Sequence, residues 1–385
     1  MMAAMEAAQV SIFTRMTALA EQTGAVNLGQ GFPDFDGPQP VIEAAQEALG
    51  AAHNQYAPLP GVPPLRRAIA EHQLRHYGLE LDPDSQIQVT FGATEALASA
   101  VLALAGPGDE VAFLDPSYDS YPAVVALAGA TARPIELHPP DWRLDAATLE
   151  AAITPNTRVL LLNTPHNPTG RVLDREELEL IAAACQEHDV IALTDEVYEH
   201  LVFEGSHIPI ATLPGMFERT ITVSSLGKTF SVTGWKVGWA SGPAELIARL
   251  RGVKQFLTFA GGTPLQHAGA EALRLPPAVV EDLVRDLRRK RDRLAEGLTA
   301  AGFGVLPSAA TYFLNVDGTP LGEPDATALC ERLPVEAGVV AIPIAAFAHD
   351  PAGPTRPLIR FAFPKGDAVI DEALARIGRW SQSFH

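Results

Sequence analysis

Lys228 lies in Ser224-Ser225-Leu226-Gly227-Lys228-Thr229-Phe230-Ser231-Val232-Thr233-Gly234-Trp235-Lys236, where a second lysine follows eight positions on and hydroxyls surround both. One amine could condense with a carbonyl while the other cation faces a phosphate. A ligand with both an aldehyde and a phosphate would suit that pair. Pyridoxal 5'-phosphate (PLP) is such a cofactor, held as a Schiff base to a lysine. A nucleotide phosphate loop is the competing reading of Gly227-Lys228-Thr229. Its spacing, G-x-x-x-x-G-K-[ST], requires glycine where Thr222 stands.

Other residue types fit the same ligand. Phe91-Gly92-Ala93-Thr94-Glu95 sets a glycine between an apolar run and a helical pattern. Backbone N–H groups there, with the Thr94 hydroxyl, could bind a phosphate at the positive end of the helix dipole. Ser225 and Lys236 would complete that cup through charge-assisted hydrogen bonds. Asp195 closes the run Ile191-Ala192-Leu193-Thr194. It would pair with the pyridine nitrogen, keep it protonated and so make the ring withdraw electrons. Strand alternation turns Glu196 the other way. Asn167, in Asn163-Thr164-Pro165-His166-Asn167-Pro168-Thr169-Gly170, would join Tyr198 in hydrogen-bonding the cofactor's phenolic oxygen. His72 and His76 stand at i and i+4, but the H-E-x-x-H glutamate is missing and no metal is expected there.

These residues need a scaffold that brings them to one rim. Gln86–Thr90, Glu110–Leu114, Arg158–Leu162, Ile191–Leu193 and Ile221–Val223 read as short buried strands. Thr94–Ala105, Tyr121–Ala128 and Arg175–His188 read as helices between them. The alternation predicts an α/β fold with a mainly parallel, doubly wound sheet, and Val237–Ala240 reads as an antiparallel addition. In such a sheet ligands sit beyond the carboxyl ends of the strands, where the candidate residues fall. After Pro276-Pro277 a long amphipathic helix is expected to turn Arg285, Arg288, Arg289, Lys290, Arg291 and Arg293 to solvent. Thr311–Val316, Leu358–Phe363 and a final helix from Asp367 then suggest a smaller α+β domain. The expected division is an N-terminal arm and part of the small domain over 1–35, a large cofactor-binding domain over 36–275, and a small C-terminal domain over 276–385.

Composition narrows the function classes. The 385 residues carry a formal charge of −18, which argues against a phosphate-backbone partner. No run of apolar residues is long enough for a membrane span, and the N-terminus lacks the pattern of a secretory signal. Two distant cysteines, Cys185 and Cys330, make neither a zinc site nor a disulfide framework, so a cytoplasmic location is expected.

Taken together, Asn-x-x-x-Asn-Pro-x-Gly, Asp195-x-x-Tyr198, Ser225-x-x-Lys228 and Lys236 resemble the class I/II aminotransferases of PLP fold type I. Asn27-Leu28-Gly29-Gln30-Gly31-Phe32-Pro33, Asn54-Gln55-Tyr56 and Thr233-Gly234-Trp235-Lys236-Val237-Gly238-Trp239 are similar to the branch with kynurenine/glutamine transaminases, methionine aminotransferases and N-succinyldiaminopimelate aminotransferases. The resemblance implies ping-pong transfer of an amino group from an L-amino acid of methionine, glutamine or aromatic type to a 2-oxo acid. N-succinyldiaminopimelate transamination and β-lyase action on cysteine S-conjugates are its alternatives. It also implies that Lys228 moves the substrate proton, that Tyr118 stacks on the ring, and that Arg360 clamps the substrate carboxylate with Asn167 and the Gly29 backbone. Tyr56 would reach the phosphate of the neighbouring subunit in a homodimer. Kynurenine-using relatives have an aromatic residue and a histidine where this chain has Phe259-Ala260-Gly261-Gly262-Thr263-Pro264. The two glycines imply a wider side-chain pocket that admits longer substrates.

Overall fold

Apolar, β-branched runs build the centre of the molecule, which a computed structural model describes over residues 11–382. After the short β1 (Val26–Asn27) come β2 (Ile87–Phe91), β3 (Glu110–Asp115), β4 (Thr131–Glu136), β5 (Thr157–Asn163), β6 (Ile191–Asp195), β7 (Thr220–Ser225) and β8 (Val237–Ser241). These seven form one sheet in the order β2-β8-β7-β6-β5-β3-β4. β3 pairs in parallel with β4 and β5, and β5–β6 and β6–β7 are parallel too. Only β8 runs the other way, against both β2 and β7, so the expected antiparallel addition lies inside the sheet.

The sequence reading missed β4. Its interior Pro134 weakens the strand pattern, and its burial is partial, as suits an edge position. The other strands extend one or two residues beyond their expected ends, where polar residues such as Asn163, Asp195 and Ser225 continue the ladder.

Both faces of the sheet are covered. Helices Gly92–Leu104, Ser120–Ala128 and Ala244–Leu257 bury Leu97, Val125 and Ile247 against Val111, Leu161 and Val223. The opposite face shares a continuous core with the C-terminal elements, in which Leu114, Leu160 and Ala192 join Phe313, Ile342 and Phe361. A four-stranded sheet, β12-β13-β10-β9, is formed by β9 (Gly304–Val305), β10 (Phe313–Asp317), β12 (Ile342–Pro343) and β13 (Leu358–Ala362). Between β10 and β12, β11 (Val339–Val340) pairs in parallel with β1 and ties the N-terminal segment to the C-terminal part.

Part of the expected solvent face of helix Ala278–Ala300 is covered. Lys290 is buried, 2.6 Å from Asp286 Oδ2, with its amine over the Phe35 ring. Arg291 is buried too and donates to the Ser308 carbonyl at 2.6 Å and to Glu204 at 2.8 Å. Loops carrying Phe35 and Phe203 fold over these side chains, which a helix-only pattern does not register.

Candidate active site

The parallel strands end on one rim, and the reversed β8 begins there: Gly238 lies opposite Ser225, and Val237 opposite Phe91. A cavity of about 230 Å³ at this rim is lined by Gly92, Ala93, Thr94, Tyr118, Asn167, Asp195, Tyr198, Ser225, Lys228 and Lys236, among others. These residues come from six separate stretches of sequence; five follow or end a strand, and Lys236 stands just before β8.

At one end the backbone makes a cradle. Gly92 opens helix Gly92–Leu104 at φ +74°, and a Cβ there would sit 3.0 Å from Lys236 Cε. Gly238 lies so close to it that a Cβ would meet Gly92 C at 2.5 Å and Ala93 N at 2.6 Å. Glu95 turns back to accept the Phe91 N–H at 2.6 Å, and Lys236 Nζ donates to Thr94 Oγ1 at 3.5 Å. Burial and the neighbouring Lys228 charge pull the Lys236 amine below its ordinary range. The cradle therefore joins a helix N-terminus, a cation and hydroxyls.

Asp195 stands deeper. Its Oδ2 accepts the Tyr121 hydroxyl at 2.8 Å, and its Oδ1 the Val197 N–H at 3.3 Å. Burial pushes its carboxyl up to about 6, against the lowering pull of the Tyr121 bond. Glu196 points elsewhere, as alternation requires, and pairs with His207 at 2.8 Å. Asn163 ties two strand ends together: its Nδ2 donates to the Asp195 carbonyl, and its Oδ1 accepts from the Asn167 N–H, both at 2.8 Å.

Lys228 sits on the one-turn helix Leu226–Thr229 directly after β7. Its Nζ donates to the Tyr312 hydroxyl at 2.6 Å, and that hydroxyl donates to the Gly31 carbonyl at 2.5 Å. Tyr198 is buried edge-on to Tyr312 with ring centroids 5.2 Å apart, and burial raises its hydroxyl well above the usual range. Tyr118 is raised to about 12, again chiefly by burial.

A second cavity of about 220 Å³ adjoins the first and shares Tyr118, Asn167, Tyr198 and Lys228 with it. Arg360 closes its far side from β13, 1% exposed. The guanidinium lies 3.9 Å from the Phe313 ring centroid and donates to Asn167 Oδ1 at 2.8 Å and to the Gly29 carbonyl at 3.5 Å. Among the described residues no carboxylate forms a salt bridge with it, and its buried Nε lacks a hydrogen-bond acceptor. Burial draws the group down to about 10. Arg356, nearby in sequence, is exposed and pairs with Asp325.

Tyr56 lies apart from both cavities. It is 85% exposed and meets Phe259 edge-on, with centroids 5.7 Å apart. The Gly261-Gly262 segment lies on this same side and lines neither cavity of its own chain. Tyr121 and Tyr312 went unnoticed in the sequence. Tyr121 follows Tyr118 by three residues on a helix start, which was a usable signal; Tyr312 reaches Lys228 only through tertiary packing.

Comparison with known proteins identifies the family and the fold. The family described as "Aminotransferase class I and II" matches residues 23–377. The protein of Mycobacterium tuberculosis named "Probable N-succinyldiaminopimelate aminotransferase DapC" is 51% identical over 377 residues, covering 95% of each chain. The methionine aminotransferase of Escherichia coli is 43% identical over 368 residues, again with 95% of each chain covered. The solved N-succinyldiaminopimelate aminotransferase of M. tuberculosis superposes with a TM-score of 0.94 at 52% identity, over 96% of this chain and 97% of that one. The fold is thus that of the fold type I PLP-dependent aminotransferases, and the chain belongs to the class I and II aminotransferases.

Proposed function

We propose that this aminotransferase uses PLP held at Lys228 to move the amino group of an L-amino acid with an uncharged side chain, of methionine, glutamine or aromatic type, to a 2-oxo acid. The observation that carries the reading is a pair of adjoining cavities with the Lys228 amine lining both and, across the second, a buried guanidinium that has no carboxylate partner among the described residues. The residues fit the cofactor on this chain's own geometry. With no side chain at Gly92 to crowd the Lys236 amine, and Gly238 packed against the helix start, the cavity there suits a phosphate, met by the helix N-terminus, Thr94, Ser225 and Lys236. Asp195 would hold a proton on the ring nitrogen, Asn167 and Tyr198 would face the phenolic oxygen, and Tyr118 would cover the ring face.

When bound, PLP supplies an electron sink for the substrate's Cα. Lys228 Nζ, freed by the incoming amino group, accepts the Cα proton, and Tyr312 steadies that nitrogen through its hydroxyl. Arg360 grips the α-carboxylate with planar N–H donors, while Asn167 and Gly29 fix the guanidinium's plane. Phe13, Phe32 and Phe313, with the Gln30 amide, would receive the side chain, which favours apolar or amide groups.

A second reading, N-succinyldiaminopimelate as donor, is favoured by the 51% identity to the M. tuberculosis protein. A homodimer supports either reading. Tyr56, Phe256, Leu257 and Phe259 are exposed apolar groups on one side of the chain, suited to burial against a second copy that receives Tyr56 at its phosphate site. The division at 35 and 275 and a cytoplasmic location complete the proposal; the buried free thiols Cys185 and Cys330 fit a reducing compartment.

Borohydride reduction of the purified yellow protein should fix a pyridoxyl group on the peptide that contains Lys228. Lys228→Ala should lose both colour and label, with turnover falling by about 10⁴-fold or more. A Lys228→Ala enzyme that turns over normally would sink the assignment. A panel of methionine, glutamine, phenylalanine, kynurenine and N-succinyldiaminopimelate then separates the two donor readings by kcat/KM.

A further inference from the structure

Outside the active site, three imidazoles meet at the mouth of another cavity. Helix Pro63–Tyr77 carries His72 and His76 one turn apart, so both face the same way. The sequence argued against a metal there because the pair lacks the glutamate of H-E-x-x-H. The fold supplies a third histidine. His200, from the turn after β6, brings its Nε2 to 2.7 Å from His72 Nε2. The ring centroids are 4.6 Å apart for His72–His76 and 4.9 Å for both His72–His200 and His76–His200. One ligand nitrogen from each ring lies within 4.8 Å of the others.

We propose that His72, His76 and His200 form a binding site for a divalent transition-metal ion of the zinc type. Nitrogen ligands about 2.0–2.1 Å from a tetrahedral zinc stand about 3.3 Å from one another, so small side-chain rotations convert the cluster into a ligand set. A shared acceptor–donor contact between His72 and His200 accounts for one pair of nitrogens only; His76 meets the His72 ring tilted and the His200 ring edge-on, and among the described residues its ring makes no comparable bond. Three imidazoles exclude calcium and magnesium, which prefer oxygen.

The surroundings suit a cation. Glu199, beside His200 in sequence, accepts the Tyr77 hydroxyl and the Ser224 hydroxyl, each at 2.6 Å, and so locks the turn that presents His200. Its buried negative charge lies close behind the cluster, and Glu281 lines the adjoining cavity of about 480 Å³. Arg75 and Arg285 line it too and oppose a cation, though Arg285 is paired with Asp282. The cavity leaves a fourth coordination position to water or a small anion. Thr229 and Phe230 form its inner wall, so the ion would sit behind the segment that carries Lys228.

Tag-free, cofactor-loaded full-length protein, stripped with a chelator and then freed of it, should take up one Zn²⁺ per chain in a calorimetric titration at pH 8. Co²⁺ should give the intense visible absorption of a four-coordinate site. His76→Asn, at an exposed ring, and His200→Asn should each weaken Zn²⁺ binding by about 100-fold or more. Melting curves taken without metal identify folded variants, and His76→Asn alone decides the matter if His200→Asn does not fold. Absence of stoichiometric Zn²⁺ in the parent protein overturns the proposal. So does binding unchanged by His76→Asn, which would place the ion on the cofactor or elsewhere.

Discussion

Asp195 shows how a single buried carboxylate links stability to chemistry. Burial raises it from 3.8 to about 6, so between these values the folded chain holds a proton that the unfolded chain has released. Without cofactor, the stability associated with this group is complete below pH 4 and is lost as pH rises through about 6, a cost of about 3 kcal/mol by linkage. Asp195→Asn should therefore stabilise the cofactor-free protein above pH 6 and leave it unchanged near pH 4, as urea titrations at the two pH values would show. The same variant should lose about 10³-fold in turnover, because an amide cannot keep the ring nitrogen protonated. Equal stability of the two proteins at pH 8 would contradict the buried-charge account. Asp195 could be singled out in the sequence by its place closing an apolar run. Tyr121, which satisfies one of its oxygens, was less legible, and Tyr312 not at all, since its contact with Lys228 spans 84 positions of sequence.

At the scale of elements, the cradle depends on how closely β8 approaches the start of helix Gly92–Leu104. Gly238→Ala must drive the two backbones apart, because its Cβ would meet main-chain atoms at 2.5 and 2.6 Å and not a side chain that can turn away. Overpacking of this kind costs about 1–3 kcal/mol. PLP should bind roughly 10- to 100-fold more weakly to the variant in a fluorescence titration. Unchanged PLP affinity would mean that the helix start is not where the phosphate rests. Most strands were visible as buried apolar runs with helices between them. β4 was not, because Pro134 and a half-exposed edge erase both signals. The buried Lys290 and Arg291 were misread for a different reason: helix periodicity records which face is polar, but not which loops fold over it.

For the whole molecule, the exposed Tyr56 and Phe256, at 85% and 84%, make sense if a second copy covers them. Sedimentation should give a dimer. Tyr56→Ala should lower PLP retention without unfolding the chain. Co-refolding it with Lys228→Ala should restore roughly a quarter of wild-type activity, since half of the dimers would then hold one complete site. No recovery would show that Tyr56 serves its own chain.

The reversed strand within the sheet has a wider consequence. Because β8 runs against its neighbours, a single hairpin from Ser225 to Gly238 returns to the rim it left and delivers both lysines there. Had that five-residue strand been parallel, Lys236 would emerge about 17 Å away, on the far margin of the sheet. Lengthening or trimming the connection would thus displace Lys228 and Lys236 together. Chain direction is what makes the placement of these two amines a heritable unit.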